Sequence, residues 1–498
     1  MKKVIMKMLL FSNLLFTQQM VLAQTAWSHV YTEFPYTRLF CVSETTEGDF
    51  VTAGDGMKGV FCMKVNSEGN VNWEKGYQVG GGNFGASEML IDSIGNIFLA
   101  GDGQDLNNHN VFGFLMGLDS NGDSLFTKYY PQNGWSFIDG FIEGYDSSFV
   151  IVGSADTDSV EHNTDIWLFA VNRRGELLWQ KFYDEEEYEY GRDVVKTLDG
   201  GYIILAELAD LHNAMKVIKT DRIGNVEWNK TFRYDESTLQ PNGIIATLDE
   251  GYLVVGKIDR ESFLLNLSFE GNINWEKRFN WPVKEDVEQT NSSGSAMAVI
   301  QNINRSYTIV GQHSGGYGWG PDYESIEAVY LYTISDNGDS LWRRSYEANL
   351  WPAVYDFRGT SDGGFIIPAY MFTWDDPSLA WLIKTDNEGG IVSIHSDEIE
   401  LGEPENYSLH QNYPNPFNPS TKIKYSIPVA DAYYASTTMV TLRVYDVLGK
   451  DVATLVNKEQ SAGSYEVEFD ANNLTSGVYF YRIRTSNFVE TKKMILLR

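Results

Sequence analysis

The sequence predicts an all-β protein: a seven-bladed β-propeller whose N-terminal strand closes the last blade, followed by a small C-terminal β-sandwich. Three observations predict this fold. A two-part motif recurs seven times between residues 24 and 395, and its seventh copy lacks the last strand. A strand of the missing type stands near the N-terminus. The last ninety residues alternate apolar and polar side chains, which is typical of strands with one buried face.

The chain begins with the pattern of a secretory signal peptide. Three lysines within the first seven residues precede an apolar stretch from Met8 to Phe16, and Val21-Leu22-Ala23 provides residues that a signal peptidase accepts. An uncleaved membrane anchor is the alternative, but a spanning helix needs about twenty apolar residues and this run is shorter. We therefore predict a signal peptide over residues 1–23, cut after Ala23.

The first part of the repeated motif consists of a turn, an aromatic residue, an apolar run and a small residue. Its seven copies are Gly48–Gly54, Gly95–Gly101, Phe149–Gly153, Tyr202–Ala206, Tyr252–Gly256, Tyr307–Gly311 and Phe365–Ala369. A short apolar run bounded by turn residues is typical of a buried strand. We expect this part to form the second strand of each blade.

The second part is an apolar strand, a glycine turn and an aromatic residue four positions after the glycine. The glycines are Gly69, Gly122, Gly175, Gly224, Gly271, Gly338 and Gly389, and the aromatic residues are Trp73, Phe126, Trp179, Trp228, Trp275 and Trp342. A fixed period of about fifty residues in an all-strand chain predicts a propeller or a solenoid.

The seventh copy decides between these two architectures. No tryptophan strand follows Gly389, whereas the mature chain begins Trp27-Ser28-His29-Val30-Tyr31. A solenoid has no use for such a strand because its ends never meet. In a propeller the strand completes the last repeat and protects sheet edges from pairing with other chains. We predict seven four-stranded blades within residues 24–395.

The repeat also places the strands of a blade and the two cysteines. For the fourth blade we predict strands over 192–198, 202–206, 215–220 and 226–232. The same pattern puts Cys41 on the first strand of the first blade and Cys62 on its third. Strands two apart in a sheet lie roughly 9–10 Å from each other, beyond the disulfide reach of about 7 Å. We predict two buried free thiols, with a disulfide as the alternative.

The tail has the pattern of a small β-sandwich. Period-two alternation occurs in three runs, at Ile423, Tyr425 and Ile427, at Val440, Leu442 and Val444, and at Tyr465, Val467 and Phe469. Leu448-Gly449-Lys450 predicts a hairpin turn, because glycine tolerates positive φ. The prolines at 414, 416 and 419 predict a stiff extended lead-in. An acidic linker over 396–407 is expected before this domain, which we place at 408–498.

Several motifs of the tail resemble the type A C-terminal sorting domain of cargo for the Gram-negative type IX secretion system, the Por system. They are His410–Thr421, Val444–Lys450, Ser476–Tyr481 and Thr491–Leu496. An ordinary accessory β-sandwich would explain the alternation but not the Tyr-Pro-Asn-Pro-Phe-Asn-Pro lead. The resemblance implies a sorting signal that includes Tyr413, Pro414, Asn415, Pro416, Phe417, Asn418, Pro419, Gly449, Gly477 and Tyr479.

The resemblance also implies where the protein goes. The partner would be the type IX secretion machinery, which recognises the tail at the outer membrane after the signal peptide has directed the chain through the periplasm. The tail would then be removed as the cargo is released or attached to surface lipopolysaccharide. The protein is expected to be secreted or displayed at the cell surface.

Composition narrows the choice of partner. The chain has 38 Lys and Arg against 68 Asp and Glu, a formal net charge of −30. Removing the three lysines of the signal peptide leaves 35 basic residues and a net charge of −33. Nucleic acid and anionic lipid both need a basic footprint, so neither is an expected partner. Beyond the signal peptide, no stretch has the length and apolarity of a transmembrane segment.

Two sequence motifs suggest cofactors, and turn chemistry explains both. Asp119-Ser120-Asn121-Gly122-Asp123-Ser124 has oxygen donors at alternate positions, as calcium loops do. The equivalent turn in the next blade carries arginines, which favours a turn role, with calcium as the open alternative. Gly80–Gly85 matches Gly-x-Gly-x-x-Gly, but no helix is expected after it to bind a pyrophosphate. We predict no cofactor and identify no catalytic or metal-ligating residues.

Long loops on one face of the propeller are the predicted ligand-binding site. The aromatic and acidic residues on these loops are Trp281, Tyr317, Trp319, Tyr323, Trp374 and Asp375. Exposed aromatic rings beside carboxylates suit sugar stacking or cationic ligands. We therefore predict a monomeric binding protein for a glycan, peptide or matrix component. The alternative is a hydrolase or lyase acting on an extracellular polymer; the other alternative is that these loops only pack on one another.

Overall fold

The computed structural model is made of β-strands. It describes residues 26–497 except 58, 81–84, 106–109, 133, 157–163, 184–187, 209–213, 235–236, 280–289, 318–323, 349, 373–377, 392–406, 413, 428–437, 448, 461–462 and 486–487. The side chains of residues 290–292, 315–317, 324–326, 463–464 and 466 are also left undescribed. The chain divides into two compact units, residues 1–394 and 395–498. Among the residues that are described, no helix is long and apolar enough to cross a membrane.

The described part of the first unit forms seven antiparallel sheets, which we number in chain order. Sheets 1 to 6 each contain four strands that are consecutive in the chain and paired in chain order. Sheet 1 contains β2 (Arg38–Glu44), β3 (Phe50–Gly56), β4 (Gly59–Val65) and β5 (Val71–Tyr77), and sheet 2 contains β6 (Ala86–Ile91), β7 (Ile97–Gln104), β8 (Val111–Leu118) and β9 (Ser124–Tyr130). Sheet 3 contains β10 (Ser136–Glu143), β11 (Phe149–Asp156), β12 (Thr164–Val171) and β13 (Leu177–Tyr183), and sheet 4 contains β14 (Glu189–Lys196), β15 (Tyr202–Leu208), β16 (Ala214–Thr220) and β17 (Val226–Arg233). Sheet 5 contains β18 (Leu239–Ala246), β19 (Tyr252–Ile258), β20 (Glu261–Leu267) and β21 (Ile273–Phe279), and sheet 6 contains β22 (Thr290–Gln301), β23 (Tyr307–Tyr317), β24 (Glu324–Ile334) and β25 (Ser340–Ala348).

Sheet 7 is assembled from both ends of the unit. Its first strand is split into β26 (Trp351–Val354) and β27 (Arg358–Gly359), followed by β28 (Phe365–Phe372) and β29 (Leu379–Thr385). The strand that pairs with the outer side of β29 is β1 (Trp27–Tyr31), with Trp27 opposite Lys384 and Tyr31 opposite Ala380. The segment that the sequence assigns to the missing place in the seventh repeat therefore occupies that place.

The burial of the strands explains their sequences. Strands β11 and β12 are buried at every position because neighbouring sheets cover both of their faces, and most of their residues are apolar. The fourth strands of sheets 1, 4 and 5 alternate between exposed and half-buried residues, as β17 does from Val226 to Arg233. The predicted bounds of the fourth repeat are close to those observed. Its first strand begins at Glu189 instead of Arg192, because the ladder continues past an irregularity at that arginine.

Each sheet is docked on the next by its fourth strand. A side chain from that strand covers the turn glycine that follows the third strand of the next sheet. A Cβ on the glycine would come within 2.7–3.1 Å of that side chain. The pairs are Trp27 on Gly69, Trp73 on Gly122, Lys128 on Gly175, Trp179 on Gly224, Trp228 on Gly271, Lys277 on Gly338 and Trp342 on Gly389.

The same docking contact includes a hydrogen bond in most of the sheets. The hydroxyl groups of Tyr31, Tyr77, Tyr130, Tyr183 and Tyr346 donate to the carbonyl oxygens of Gly69, Gly122, Gly175, Gly224 and Gly389, at 2.6–2.9 Å. Burial raises the pKa of Tyr77 and Tyr183 well above the ordinary phenol value, so both remain donors at neutral pH. Because Trp27 and Tyr31 belong to sheet 7, the contact also joins sheet 7 to sheet 1.

The two cysteines are buried free thiols, as predicted. Cys41 on β2 and Cys62 on β4 lie opposite the same residue of the strand between them, Ala53. One strand therefore separates the two sulfur atoms, and burial raises the pKa of both thiols.

The second unit contains two sheets that share one core. The strands are β30 (Ser408–Leu409), β31 (Ser420–Ile427), β32 (Thr438–Tyr445), β33 (Asp451–Gln460), β34 (Gly463–Asp470), β35 (Gly477–Arg484) and β36 (Val489–Leu496). One sheet has the order β30-β31-β34 and the other β33-β32-β35-β36. Buried residues from both sheets, among them Ile423, Leu442, Phe469 and Tyr481, form a single hydrophobic cluster. The predicted alternation and the predicted turn at Gly449, whose φ is 78°, are both confirmed.

The docking contact predicts a difference between two glycine substitutions. Gly122 and Gly48 both have positive φ, 76° and 83°, so alanine at either position carries a similar backbone strain of about 1–2 kcal/mol. A Cβ at Gly48 meets no atom within 4 Å, whereas one at Gly122 lies 2.9 Å from the Trp73 ring. We expect Gly122→Ala to lower the free energy of unfolding by about 1–3 kcal/mol more than Gly48→Ala, by urea denaturation. Equal losses would show that the Trp73 contact does not stabilise the fold.

Candidate functional site

The predicted loop residues lie largely outside the part of the chain that the structure describes. This is true of Trp281, Trp319, Tyr323, Trp374 and Asp375. Tyr317 is placed as the last residue of β23, but its side chain is not described. The loop between the second and third strands is not long in every repeat, because Ile258 and Glu261 pair directly across a two-residue turn in sheet 5. The predicted loop site therefore remains a prediction.

The structure identifies a different set of residues, which occupy equivalent positions in the first strand of each sheet. In sheets 1 to 6 the pairing between first and second strands shifts by one residue, and that residue has no partner on the second strand. The six bulged residues are Phe40, Ser87, Asp139, Arg192, Asn242 and Met297. In sheet 7 the chain leaves the ladder between β26 and β27, and Tyr355 lies in that gap. A β-bulge redirects a side chain, so the repeat aims one residue per sheet away from the regular pleat.

The small residue at the end of the first motif lies opposite each bulge. Gly54, Gly101, Gly153, Ala206, Gly256, Gly311 and Ala369 pair with the residue just before the bulge or gap. A Cβ at Gly54 or Gly153 would stand 1.8 Å from the carbonyl oxygen of the residue two before the bulge. Because glycine has no Cβ, this carbonyl group can approach the main chain of the second strand closely. This small residue was the sequence signal that could have located the bulges.

All seven of these side chains line one cavity of about 500 Å³. It lies where the first strands begin and the second strands end. The remaining lining residues are Arg38, Glu88, Glu207, Gln240, Pro241 and Tyr370. We call it the central cavity. Every sheet of the first unit contributes to it, and the seven bulge residues include acidic, basic, amide, hydroxyl, aromatic and thioether side chains.

Arg192 organises one side of the central cavity. Its guanidinium donates to Glu207 Oε2 at 2.6 Å and lies 3.6 Å from Asp139 Oδ1. Burial raises the pKa of Asp139 to about 6, although Arg192 opposes that rise. The Asp139 side chain keeps 31% of its surface accessible, but that surface opens into the cavity and the carboxyl is otherwise enclosed by protein. A partly protonated carboxyl next to a fixed guanidinium can both donate and accept hydrogen bonds.

Glu88 and Asp356 form a second acidic group, on another side of the central cavity. Arg358 places its guanidinium 4.0 Å from Glu88 Oε2 and 2.9 Å from Asp356 Oδ1. Burial, and then the nearby charge of Asp356, raise the pKa of Glu88 well above its ordinary value. Arg358 alone does not offset two carboxylates, so this side of the cavity favours protonation of Glu88 or a ligand that donates hydrogen bonds.

Aromatic rings form the third side. Phe40 meets Tyr355 and Tyr370 edge to face, with ring centroids 5.5 and 5.9 Å apart. Arg38 lies against the Phe40 ring at 5.6 Å and donates through Nε to Asp55 Oδ1 at 2.9 Å. Tyr355 is 46% exposed, so part of this aromatic surface is accessible. Apolar ring faces next to charged groups suit ligands with both an apolar face and polar edges.

Carboxylates of one sheet accept hydrogen bonds from main-chain N–H groups near the bulges of the next sheet. Asp102 accepts from Ile138 N at 2.8 Å, Asp193 from Ile244 N at 2.9 Å, and Asp356 from Val42 N at 3.3 Å. Burial raises the pKa of Asp193 to about 6, a rise that hydrogen bonds from Ile244 N and Val194 N partly oppose. These hydrogen bonds fix the main chain near the bulges, and this holds the bulge side chains in a defined position.

The acidic turn that suggested calcium is stabilised by its own main chain. Asp119 Oδ1 accepts from Asn121 N at 2.9 Å and Asp123 N at 2.8 Å. Asn172 Oδ1 accepts the same two hydrogen bonds in the next repeat. These side chains act as turn formers. Within the described residues, no group of three or more His, Cys, Asp or Glu is arranged to hold a metal ion.

The residues of the predicted sorting signal lie against the C-terminal strand of the second unit. Asn415 Oδ1 accepts from Ile495 N at 2.9 Å, and the buried Phe417 exchanges main-chain hydrogen bonds with Ile495 and Leu497 at 3.0 Å. Thr421 donates to the carbonyl oxygen of Pro414 at 2.9 Å. Tyr413 lies outside the described residues. The proline-rich lead is therefore packed into the unit and is not a free extended arm.

The other predicted signal residues are structural in their contacts. Gly449 donates through its N–H to the carbonyl oxygen of Asp446 at 3.0 Å and closes the turn between β32 and β33. Gly477 begins β35, and Tyr479 donates to the carbonyl oxygen of Thr475 at 2.9 Å.

Comparison with solved structures returns likenesses of low sequence identity. A protein of unknown function from Dyadobacter fermentans DSM 18053 is 11% identical over 72% of this chain and 98% of its own, with a TM-score of 0.38. Sqt1 from Chaetomium thermophilum is 8% identical over 71% and 99%, with a TM-score of 0.41. Puromycin hydrolase is 11% identical over 81% of this chain and 62% of its own, with a TM-score of 0.45. Comparison with curated proteins returned no match.

The C-terminal part of the chain matches a known protein-family model. Residues 411–497 match the family model described as "Secretion system C-terminal sorting domain". The match covers the motifs whose resemblance was noted in the sequence and most of the second unit. Through these residues the chain carries a C-terminal sorting domain of the Por, or type IX, secretion system, which indicates export to the cell surface or the extracellular space.

Proposed function

We propose that the protein is a binding protein of the cell surface or extracellular space, built as a seven-bladed β-propeller that holds its ligand in the central cavity. The proposed domains are a signal peptide over 1–23, the propeller over 24–395, a linker over 396–407 and a β-sandwich sorting domain over 408–498. The ligand is a glycan, peptide or matrix component, and the protein acts as a monomer.

Two observations support the propeller. The docking of a fourth strand on the next turn glycine runs from sheet 1 through sheet 7 and back to sheet 1, where Trp27 covers Gly69. A cavity lined from all seven sheets is the space that such a ring encloses. A solenoid would leave its first and last sheets without this mutual contact.

The functional proposal rests on a comparison of two positions that recur in every repeat, the turn glycine and the bulge residue. The turn glycine is the same in all seven repeats, because the docking contact admits no larger residue. The bulge position is Phe40, Ser87, Asp139, Arg192, Asn242, Met297 and Tyr355 in turn. A position whose backbone is fixed by the fold, but whose side chain differs from repeat to repeat, is suited to ligand recognition. The predicted loop residues from Trp281 to Asp375 would extend the same face.

One observation favours a second candidate, a hydrolase or lyase of an extracellular polymer. Glu88 and Asp139 both line the central cavity and both have raised pKa values. A carboxyl that holds its proton near neutral pH can serve as a general acid. Turnover of a polymer that is abolished by Asp139→Asn alone would establish the enzyme and contradict a purely binding role.

The binding proposal predicts a selective effect at Arg192. We expect Arg192→Met to weaken binding of the ligand found in a glycan and peptide screen by about ten- to a hundredfold, because charge-assisted hydrogen bonds are lost. Titration calorimetry measures the change. Arg173→Met is the matched control, because Arg173 is also paired with a carboxylate, Glu143, but does not line the central cavity. Equal affinity of the two variants would contradict the proposed site.

Burial of Asp193 predicts a pH dependence of stability. The pKa of Asp193 is raised to about 6, so the folded chain keeps this proton to a higher pH than the unfolded chain, whose Asp residues titrate near 3.9. Between about pH 4 and pH 6 the folded state binds more protons, so stability falls as pH rises through this window. Asp193→Asn should flatten that decline, measured as unfolding midpoint against pH. Parallel profiles would show that Asp193 is not enclosed.

The sorting domain predicts an export defect. Deleting residues 409–498 should leave the protein in the periplasm, because the type IX machinery has no signal to recognise. Cell fractionation and surface labelling measure the distribution. Arg192→Met is the control and should reach the surface normally, since it leaves the tail intact. Normal surface display of the deleted chain would contradict the export function of the tail.

A further inference from the structure

The docking contact between sheet 2 and sheet 3 differs from most of the others. In five of the seven contacts, the atoms nearest to a Cβ on the turn glycine include a tryptophan ring, that of Trp27, Trp73, Trp179, Trp228 or Trp342. Sheet 2 has Phe126 at this place in the repeat, and the nearest atoms at Gly175 belong to Lys128 and to the Tyr130 hydroxyl. Among the described residues, no indole ring covers Gly175.

The Phe126 ring lies on its own sheet instead. Phe126 pairs across the strands with Gly117 on β8, and a Cβ on Gly117 would stand 2.4 Å from the Phe126 ring. The residues that pair with the five tryptophans all carry a side chain, and they are Lys64, Ala170, Lys219, Thr333 and Lys384. Cross-strand partners point to the same face of a sheet, so glycine leaves room there for the phenylalanine ring. Both partners of this pair differ from the other repeats, and the ring lies outside the docking contact as a result.

A cavity of about 710 Å³ lies at this docking contact and is lined by residues of sheets 2 and 3. Its apolar lining consists of Ile94, Phe98, Leu125 and Phe126. The exposed fraction is 79% for Ile94 and 57% for Leu125, so both aliphatic side chains face water. Apolar surface that stays exposed around a cavity is typical of a binding site. We call this space the docking cavity.

One wall of the docking cavity favours a flat aromatic ring. Phe98 and Arg173 both line the cavity, and both lie against the ring of Phe149, the Phe98 centroid at 4.7 Å and the Arg173 guanidinium carbon at 4.5 Å from its centroid. Arg173 is held in place, because it donates to the carbonyl oxygen of Ser147 at 2.8 Å and forms an ion pair with Glu143. A ring that enters the cavity therefore meets an aromatic side chain and a guanidinium, and both attract aromatic rings.

The charged residues of the docking cavity favour a ligand with an acidic group. Lys128 and Arg174 line it, and neither forms an ion pair with another residue in the part of the chain that the structure describes. Asp92 and Glu176 also line it, but their carboxylates accept hydrogen bonds within their own turns, the first from main-chain N–H groups and the second from Asn172. The two cations are therefore better placed than the two carboxylates to pair with a ligand.

The docking cavity adjoins an open sheet edge. Strand β9 is the last strand of sheet 2, and among the described strands it pairs with β8 alone. Leu125, Phe126 and Lys128 belong to β9 and line the cavity. The main-chain groups of an edge strand pair readily with an added strand. A polypeptide segment is therefore the occupant that uses both features, because it can pair with β9 and place one side chain in the cavity.

We propose that the docking cavity binds a tryptophan side chain of a partner polypeptide that carries acidic residues next to this tryptophan. The chain's own contacts show that an indole fits against such a turn, because Trp27 covers Gly69 and donates through Nε1 to the carbonyl oxygen of Ser67 at 2.8 Å. The partner supplies to sheet 3 the ring that Phe126 does not. This site is separate from the central cavity and does not depend on the ligand proposed there. A free aromatic molecule and an aliphatic side chain are the alternative occupants, and the experiment distinguishes them.

The test compares two peptides on the full chain without its signal peptide. The first is acetyl-Thr-Val-Asp-Trp-Asp-Val-Thr-amide, the second has leucine in place of tryptophan, and free indole is the third probe. We expect titration calorimetry to show at least about tenfold tighter binding of the tryptophan peptide than of the leucine peptide, because buried tryptophan is among the side chains that contribute most at interfaces. Indole should bind more weakly than the tryptophan peptide, since it has no main chain to pair with β9 and no carboxylate.

The variant Phe126→Trp should block the site, because its indole would occupy the docking contact as Trp73 does in sheet 1. We expect it to bind the tryptophan peptide at least about tenfold more weakly and to unfold at an equal or higher temperature. Phe182→Trp is the matched control. It makes the same substitution on the fourth strand of sheet 3, at a residue that does not line the docking cavity, so its affinity should equal that of the parent.

A second variant, Gly117→Ala, tests the site from the opposite strand. Its Cβ would displace the Phe126 ring from its own sheet toward the docking cavity. The backbone accepts alanine, because φ of Gly117 is not in the left-handed region and Ala170 occupies the equivalent position in sheet 3. We expect binding of the tryptophan peptide to weaken by about threefold or more. This variant keeps the proposal testable if Phe126→Trp does not fold.

The outcomes separate this inference from the binding proposal. Equal affinity for the two peptides would overturn the tryptophan site, and indole that binds as tightly as the tryptophan peptide would overturn the partner polypeptide. Peptide binding that is lost in Arg192→Met but kept in Phe126→Trp would place the peptide in the central cavity and overturn the docking cavity as its site. A ligand of the central cavity should bind Phe126→Trp as tightly as the parent, so the failure of one site leaves the other standing.

Discussion

The fold depends on one repeated contact, the docking of a fourth-strand side chain on the turn glycine of the next sheet. The ring of Trp73 covers Gly122 while the hydroxyl of Tyr77 donates to the carbonyl oxygen of that glycine at 2.6 Å. The contact therefore combines burial of a large aromatic surface with a directional hydrogen bond. Because the glycine has positive φ, the turn and the contact need the same residue. The regular spacing of glycine and tryptophan in the sequence reflects this double requirement.

Uniform docking allows the other end of each sheet to vary. The bulges occur at the same level in sheets 1 to 6, yet their side chains range from Phe40 to Asp139 and Arg192. Carboxylates such as Asp102 and Asp193 accept hydrogen bonds from main-chain N–H groups near the bulges of the next sheet. A residue at a bulge can therefore change without loss of sheet pairing. This separation of a constant scaffold position from a variable one is how a repeated fold acquires a specific site.

Much of the architecture was predictable, because it is governed by local patterns. Apolar runs ending in Gly or Ala marked the second strands, and the placement of Trp27–Tyr31 beside β29 followed from a missing strand. The bulges were not predicted. The small residue opposite each bulge was interpreted only as the end of the second strand. The first strand of the fourth repeat was placed three residues late because its pairing beyond the bulge at Arg192 was missed. The central cavity combines residues from seven sheets, and no pattern within one repeat shows which of them meet.

The placement of β1 in sheet 7 has a consequence for the order of folding. The other described strands of the first unit pair with strands adjacent or nearly adjacent in the chain, whereas Ser28 of β1 accepts a hydrogen bond from Trp381, 353 residues away in sequence. Contacts of such separation form late, because the entropy of closing a long loop must be overcome first. Until residues 379–385 are available, β1 has no partner, and until β1 docks, the outer edge of β29 stays open. An open edge pairs readily with other chains. A nascent or truncated chain that stops before β29 leaves β1 and one edge of β28 without their partner and is therefore exposed to aggregation.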